Sequence, residues 1–170
     1  MNRPMSSTVI RRSGQRGVAV VEFAILLVPL LVILTGITEF GRAMYTYNTL
    51  AKAARDAARL MSTQTPTDPD YPTLVASATC TAVYGNTTCT GTPLAPGLTS
   101  AMIGMCDPQS CAGTHANVAT GTGVANLVTV TIGTANTPFH FESLAPFVPA
   151  LFGVESFDFA PISVTMRQIL

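Results

Sequence analysis

Four cysteines, two histidines and one glutamate set inside an apolar run are the residues of this 170-residue chain whose types and spacing bear on chemistry. Cys80, Cys89, Cys106 and Cys111 stand with eight, sixteen and four residues between successive members. Four thiols allow three disulfide pairings. The sequential one, Cys80–Cys89 with Cys106–Cys111, is expected, because short loops cost less entropy to close, although they also stabilise less when cross-linked. A metal site is the weaker alternative: the spacings do not match a zinc knuckle, and His115 lacks a clear partner in the sequence. Free thiols are the third. His140 sits in Phe139-His-Phe141 and reads as an exposed strand residue. Neither histidine has a catalytic setting, and the chain carries no nucleophile elbow, phosphate loop or zincin motif. An enzyme is not expected, and no catalytic residue, cofactor or metal ligand is assigned.

The glutamate is Glu22, near the front of the run from Val18 to Thr38. As a helix these 21 residues reach ~31 Å, enough to cross a bilayer. A carboxylate at the centre of such a helix costs roughly 2.5–3.5 kcal/mol. Glu22 lies ~6 Å from the start, so its cost is smaller. One reading is a residue snorkelling at the interface near the favourable helix-start dipole. The other is a functional charge, which depends on what precedes it.

What precedes it is basic. Residues 1–17 hold Arg3, Arg11, Arg12 and Arg16 and no acid. That asymmetry predicts a cytoplasmic N-terminus and an exported remainder. It also places the cysteines in an oxidising compartment. A cleaved secretory signal fits poorly: the run is longer than a signal core, and Gly36-Ile-Thr-Glu39 is a poor cleavage site. The helical pattern also continues past the run. Ala43, Tyr47, Leu50, Ala54, Ala58 and Met61 recur three or four apart on one face, with Lys52, Arg55, Asp56 and Arg59 on others. Three prolines between Thr63 and Pro72 end it. Pro29 is tolerable inside a membrane helix, and Gly36 and Gly41 permit close helix approach. Glu39 and Arg42 are three apart and can meet on one face where the helix leaves the lipid, as a solvated exit turn or as assembly contacts. Tyr45 and Tyr47 suit the interface.

Beyond the helix the charge changes sign. Residues 60–166 contain Asp68, Asp70, Asp107, Glu142, Glu155 and Asp158 and no lysine or arginine. Such a domain repels nucleic acid, so no nucleic-acid partner is expected. Gly, Pro, Thr, Ser and Ala crowd residues 63–138, which predicts loops and a modest core. A short helix is expected over Asp70–Val83 and a weaker one over Leu98–Met105. Asn126–Ile132 and Phe157–Met166 alternate as strands, the second with a shift at Pro161. Two or three antiparallel strands packed on the projecting helix follow, with Phe139–Phe141 as an added edge. The fold class is α+β: a long N-terminal transmembrane and projecting helix with a small antiparallel β-containing extracytoplasmic domain. The expected divisions are a leader at 1–17, a membrane segment at 18–38, a projecting amphipathic helix at 39–62 and a disulfide-containing periplasmic domain at 63–170.

Gly17, Val18 and Glu22 resemble the type IV prepilin pattern, in which a peptidase cuts after a glycine and the fifth mature residue is glutamate. The resemblance implies cleavage between Gly17 and Val18 on the cytoplasmic side. The new Val18 amine would then pair with a neighbouring subunit's Glu22, offsetting a buried charge and setting an axial stagger. More specifically, Arg16-Gly-Val-Ala-Val-Val-Glu-Phe-Ala24, Pro29, Gly36-Ile-Thr-Glu-Phe-Gly-Arg-Ala-Met-Tyr45 and Ala53-Ala-Arg-Asp-Ala-Ala-Arg59 are similar to the TadE-like family. Its members are minor pseudopilins of the tight-adherence (Flp/Tad) pilus system. The segment Phe157–Arg167 is similar to that family's terminal strand. The resemblance implies a structural role in assembling a Flp-type pilus or secretion apparatus. The implied partners are a prepilin peptidase, other pilins or pseudopilins and the inner-membrane Tad platform. It places the chain in a bacterial inner membrane as a single-pass protein, either at the base of the fibre or within it. The competing expectation is an uncleaved, membrane-tethered periplasmic binding or adhesion module, for which Gly17 is incidental and Glu22 merely interfacial.

Overall fold

A computed structural model describes residues 15–121, 123–144 and 156–168. Most of the expected leader, including Arg3, Arg11 and Arg12, lies outside the described residues, as does Glu155. The chain divides into two compact units, Met1–Thr38 and Glu39–Leu170.

In the first unit the described chain is helical, part of α1 (Gln15–Ser62). It is long and apolar enough to cross a membrane. Its side chains meet solvent instead of protein: Phe23 is 63% exposed and Leu26 67%. The hydroxyls of Thr35 and Thr38 return to the helix, donating to the carbonyls of Leu31 and Thr35 at 2.8 Å each. Bonded in this way, they add no unsatisfied polar group to the apolar surface.

The second unit is built on the remainder of α1. Leu50, Ala54, Ala57, Ala58 and Met61 are fully buried and Ala53 nearly so. The buried face is wider than the predicted stripe, because Ala53 and Ala57 join it. Tyr47, placed on that stripe by its spacing, keeps 41% of its surface exposed. The alanines present no bulk, so α2 (Tyr71–Tyr84) and the sheet approach the helix closely. Pro72 stands in the first turn of α2, where its missing N–H costs nothing. Gly85 ends α2 in the left-handed region at φ 72° and donates to Thr81 O at 3.0 Å.

The main sheet centres on β3 (Val124–Ile132). β6 (Ile162–Gln168) pairs antiparallel along one side from Asn126↔Gln168 to Ile132↔Ile162. The opposite side carries β1 (Ile103–Cys106) against the end of β3 and the short β2 (Val118–Ala119) against its start. Alternation puts Val128, Val130 and Ile132 into the core, where Val128 clusters with Met61, Val130 with Ala57, Ala58 and Ala82, and Ile132 with Leu50 and Ala54. The other face carries hydroxyl pairs, Thr129–Thr165 at 2.7 Å and Thr131–Ser163 at 2.9 Å. Gly133 turns the chain out of β3 at φ 75°, and a Cβ there would lie 3.1 Å from the Phe139 nitrogen.

A separate two-stranded sheet joins β4 (Phe139–Glu142) to β5 (Ser156–Phe159). Its register sets Phe139 opposite Phe159 and Phe141 opposite Phe157, and the four rings pack 5.1–5.8 Å apart with Tyr47 at their edge. The fold is therefore α+β with antiparallel strands, as expected, but with more strands. Two expectations are corrected. Leu98–Met105 is not a helix: only Ser100–Met102 form a single 3-10 turn, and Ile103 onward joins the sheet. Phe157–Met166 is not one strand, because Ala160-Pro161 separates β5 from β6 and places them in different sheets. Proline fixes φ and offers no N–H, which favours that break.

Candidate functional site

The first cluster is the start of α1. Gly17 and Val18 are exposed, and nothing lies within 4 Å of where a Gly17 Cβ would sit. Gly17 is helical here, whereas a protease cleft takes extended backbone. Glu22 is exposed and has no ion-pair or hydrogen-bond partner among the described residues.

Glu39 and Arg42 do meet, at 2.9 Å. Arg42 is further engaged by its own unit. Its guanidinium lies 4.3 Å from the Phe141 ring centroid, and Nη2 also donates to the Glu142 carbonyl oxygen. The cation–π contact and the carbonyl bond tie the β4–β5 aromatic cluster to α1.

The cysteines are joined Cys80–Cys89 and Cys106–Cys111. The first bridge closes the loop after α2. The second closes Asp107–Ser110, a turn that Asp107 organises by accepting from the backbone N–H groups of Gln109 at 2.9 Å and Ser110 at 2.7 Å. His115, partnerless in the sequence, is held by Thr129 Oγ1 at 2.9 Å from Nε2 and Thr114 Oγ1 at 2.7 Å from Nδ1. Nδ1 also stands 3.5 Å from Cys106 Sγ. Cys106, Cys111 and His115 thus gather in one place, but both sulfurs are committed to the disulfide. His140 is an exposed β4 residue paired across the strands with Asp158.

Sequence reasoning missed a buried polar knot. Tyr71, Asp107 and Gln168 are 1%, 4% and 4% exposed. Gln168 Nε2 donates to the Met61 carbonyl at 3.1 Å and to Tyr71 Oη at 2.9 Å. Burial, reinforced by the Asp107 charge, pushes the Tyr71 phenol pKa up. The bonds of Gln168 tie the end of α1 to α2 and the last strand. The Asp107-Pro-Gln-Ser110 turn carries a local signature; Gln168 carries none.

Residues 17–59, about a quarter of the chain, match the family model described as TadE-like protein. Neither the curated proteins nor the solved structures contain a match to this chain. The match begins at Gly17 and takes in Glu22, Glu39, Arg42 and the alanine face of α1.

Proposed function

We propose that this chain is a minor pseudopilin of a Flp/Tad-type pilus or secretion apparatus. In this reading a prepilin peptidase cuts between Gly17 and Val18, and the mature helix stays in the inner membrane until assembly. The observation that carries the reading is the TadE-like match over 17–59, whose first residue is the glycine of the cleavage pattern. The exposed apolar surface of the same helix supports it, because that surface needs lipid or neighbouring helices. The basic leader would hold the N-terminus in the cytoplasm, and the disulfide-linked domain would lie in the periplasm. Glu22 would receive the Val18 amine of an adjacent subunit. The reading assigns the domain no catalysis.

Mass spectrometry of the membrane-extracted protein tests it, with and without the cognate peptidase. A chain starting at Val18 only when the peptidase is present supports maturation. An intact leader in its presence removes the pseudopilin reading and leaves a tethered periplasmic module. Gly17→Ala should slow or block leader removal without changing insertion, because the arginines and the apolar run are untouched.

A further inference from the structure

The charges of the second unit are segregated. Lys52, Arg55 and Arg59 lie three or four apart along the exposed side of α1, and none has an ion-pair partner among the described residues. Asp56 interrupts the stripe but leaves it net positive. Asp68 and Asp70 are exposed in the loop that follows the helix, also without a cation. Their loop is fixed at the helix end, because Tyr71 packs with Met61 and shares Gln168 with the Met61 carbonyl. The Asp68 carboxylate is also fixed, accepting the Asp70 N–H at 2.8 Å.

We propose that the Lys52–Arg55–Arg59 stripe docks on the Asp68–Asp70 loop of a second copy of this chain, packed parallel and displaced along the helix axis. From Arg55 to Met61 is six residues, ~9 Å of helix, so a displacement of that order brings the stripe level with a neighbour's loop. A second copy is the occupant because both complementary patches, each lacking its opposite charge, are on this surface. The contact is head-to-tail, so it does not close as a symmetric pair. The parallel packing rests on the pseudopilin reading. Exposed charge pairs add little affinity singly, so this surface sets register and partner choice.

The test is photo-crosslinking of the full chain in cells that carry the apparatus, with p-benzoylphenylalanine at Thr67, an exposed position beside the acids. The expected product is a homodimer whose crosslinked peptide falls between residues 48 and 60. Its yield should drop at least ~5-fold in R55E and recover in R55E/D70K, since these exposed contacts follow charge sign. Peptide mapping of both disulfides checks folding. A crosslink to a different protein, no protein adduct, or a yield indifferent to R55E overturns the proposal. Failure of the two readings is separable: a mature Val18 terminus without the homodimer rejects this contact alone. An intact leader with a charge-dependent homodimer rejects the pseudopilin reading and keeps the contact as membrane clustering.

Discussion

Tyr71→Phe should destabilise the second unit by about 1 kcal/mol, and the loss should shrink at high pH. The phenol is 1% exposed and accepts from Gln168 Nε2 at 2.9 Å. A neutral bond of this kind contributes about 1 kcal/mol. Asp107 keeps the backbone donors of Gln109 and Ser110 after the change, so no charge is orphaned and the penalty stays near that figure. The pH dependence follows from the raised pKa of Tyr71. The folded unit holds the phenol proton more tightly than the unfolded chain. Its contribution is therefore complete below the unfolded value near 10 and is lost as pH rises through the higher folded value. Wild type and Tyr71→Phe should converge over that window. Urea pulse proteolysis of the full chain in detergent, at pH 7 and through pH 9–11, measures both. A loss under 0.5 kcal/mol at pH 7, or parallel alkaline curves, would refute the bonded-phenol account.

Three other outcomes are expected. Glu22→Gln should insert normally, because it lowers the desolvation cost, yet should give fewer crosslinks to pilin partners and fewer surface fibres at equal membrane level; normal piliation with cleavage confirmed would remove Glu22 from assembly. Replacing Cys80 and Cys89 together by Ala should cost the domain about 2–3 kcal/mol in the same proteolysis assay, the expectation for so short a loop, and non-reducing peptide mapping of the wild type should recover both linked pairs. Ala57→Leu, at a position with no exposed surface between α1 and the sheet, should cost about 1–3 kcal/mol by overpacking, whereas Lys52→Leu on the exposed side should leave stability nearly unchanged.

What was legible in the sequence was what periodicity encodes. The apolar run, its continuation as an amphipathic helix, α2 and the alternation in β3 each rest on local spacing, and all are present. The failures lie where tertiary contacts override local pattern. Leu98–Met105 has apolar residues at helical spacing, but Ile103–Cys106 pair with Ile132–Thr129 across the sheet. Ala53 and Ala57 fall outside a stripe at intervals of three and four, which is narrower than the buried face of a helix covered by α2 on one side and a sheet on another. The partners of His115 and Gln168 are distant in sequence: Thr129 is fourteen residues away and Met61 over a hundred. No single-sequence pattern reports such bonds. Gly17 and Val18 rest on the resemblance to the prepilin pattern, and Glu22 on that and on its charge inside an apolar run; all three are exposed, so no tertiary contact marks them.

The extent of the TadE-like match has a physical reading. It runs from Gly17 to Arg59, and α1 ends at Ser62, so the matched segment is very nearly one helix. Within the second unit that helix meets two separate demands. Its inner face must stay small, because Ala54, Ala57 and Ala58 have no exposed surface and an added methylene would press on the buried side chains clustered with them. Its outer face must present charges at fixed intervals if it is to register against neighbours. Both demands fall on particular side chains, which restricts the sequence strongly. The elements that cover the alanine face are restricted less, since many strands and a short helix can supply Val, Ile and Met in alternation and cover the same surface. A domain specified mainly by covering a helix can diverge while the helix does not. If the proposed roles hold, exchanging residues 63–170 for another disulfide-linked α+β cover should leave cleavage after Gly17 and crosslinking through Glu22 at wild-type levels and abolish only the crosslink from position 67.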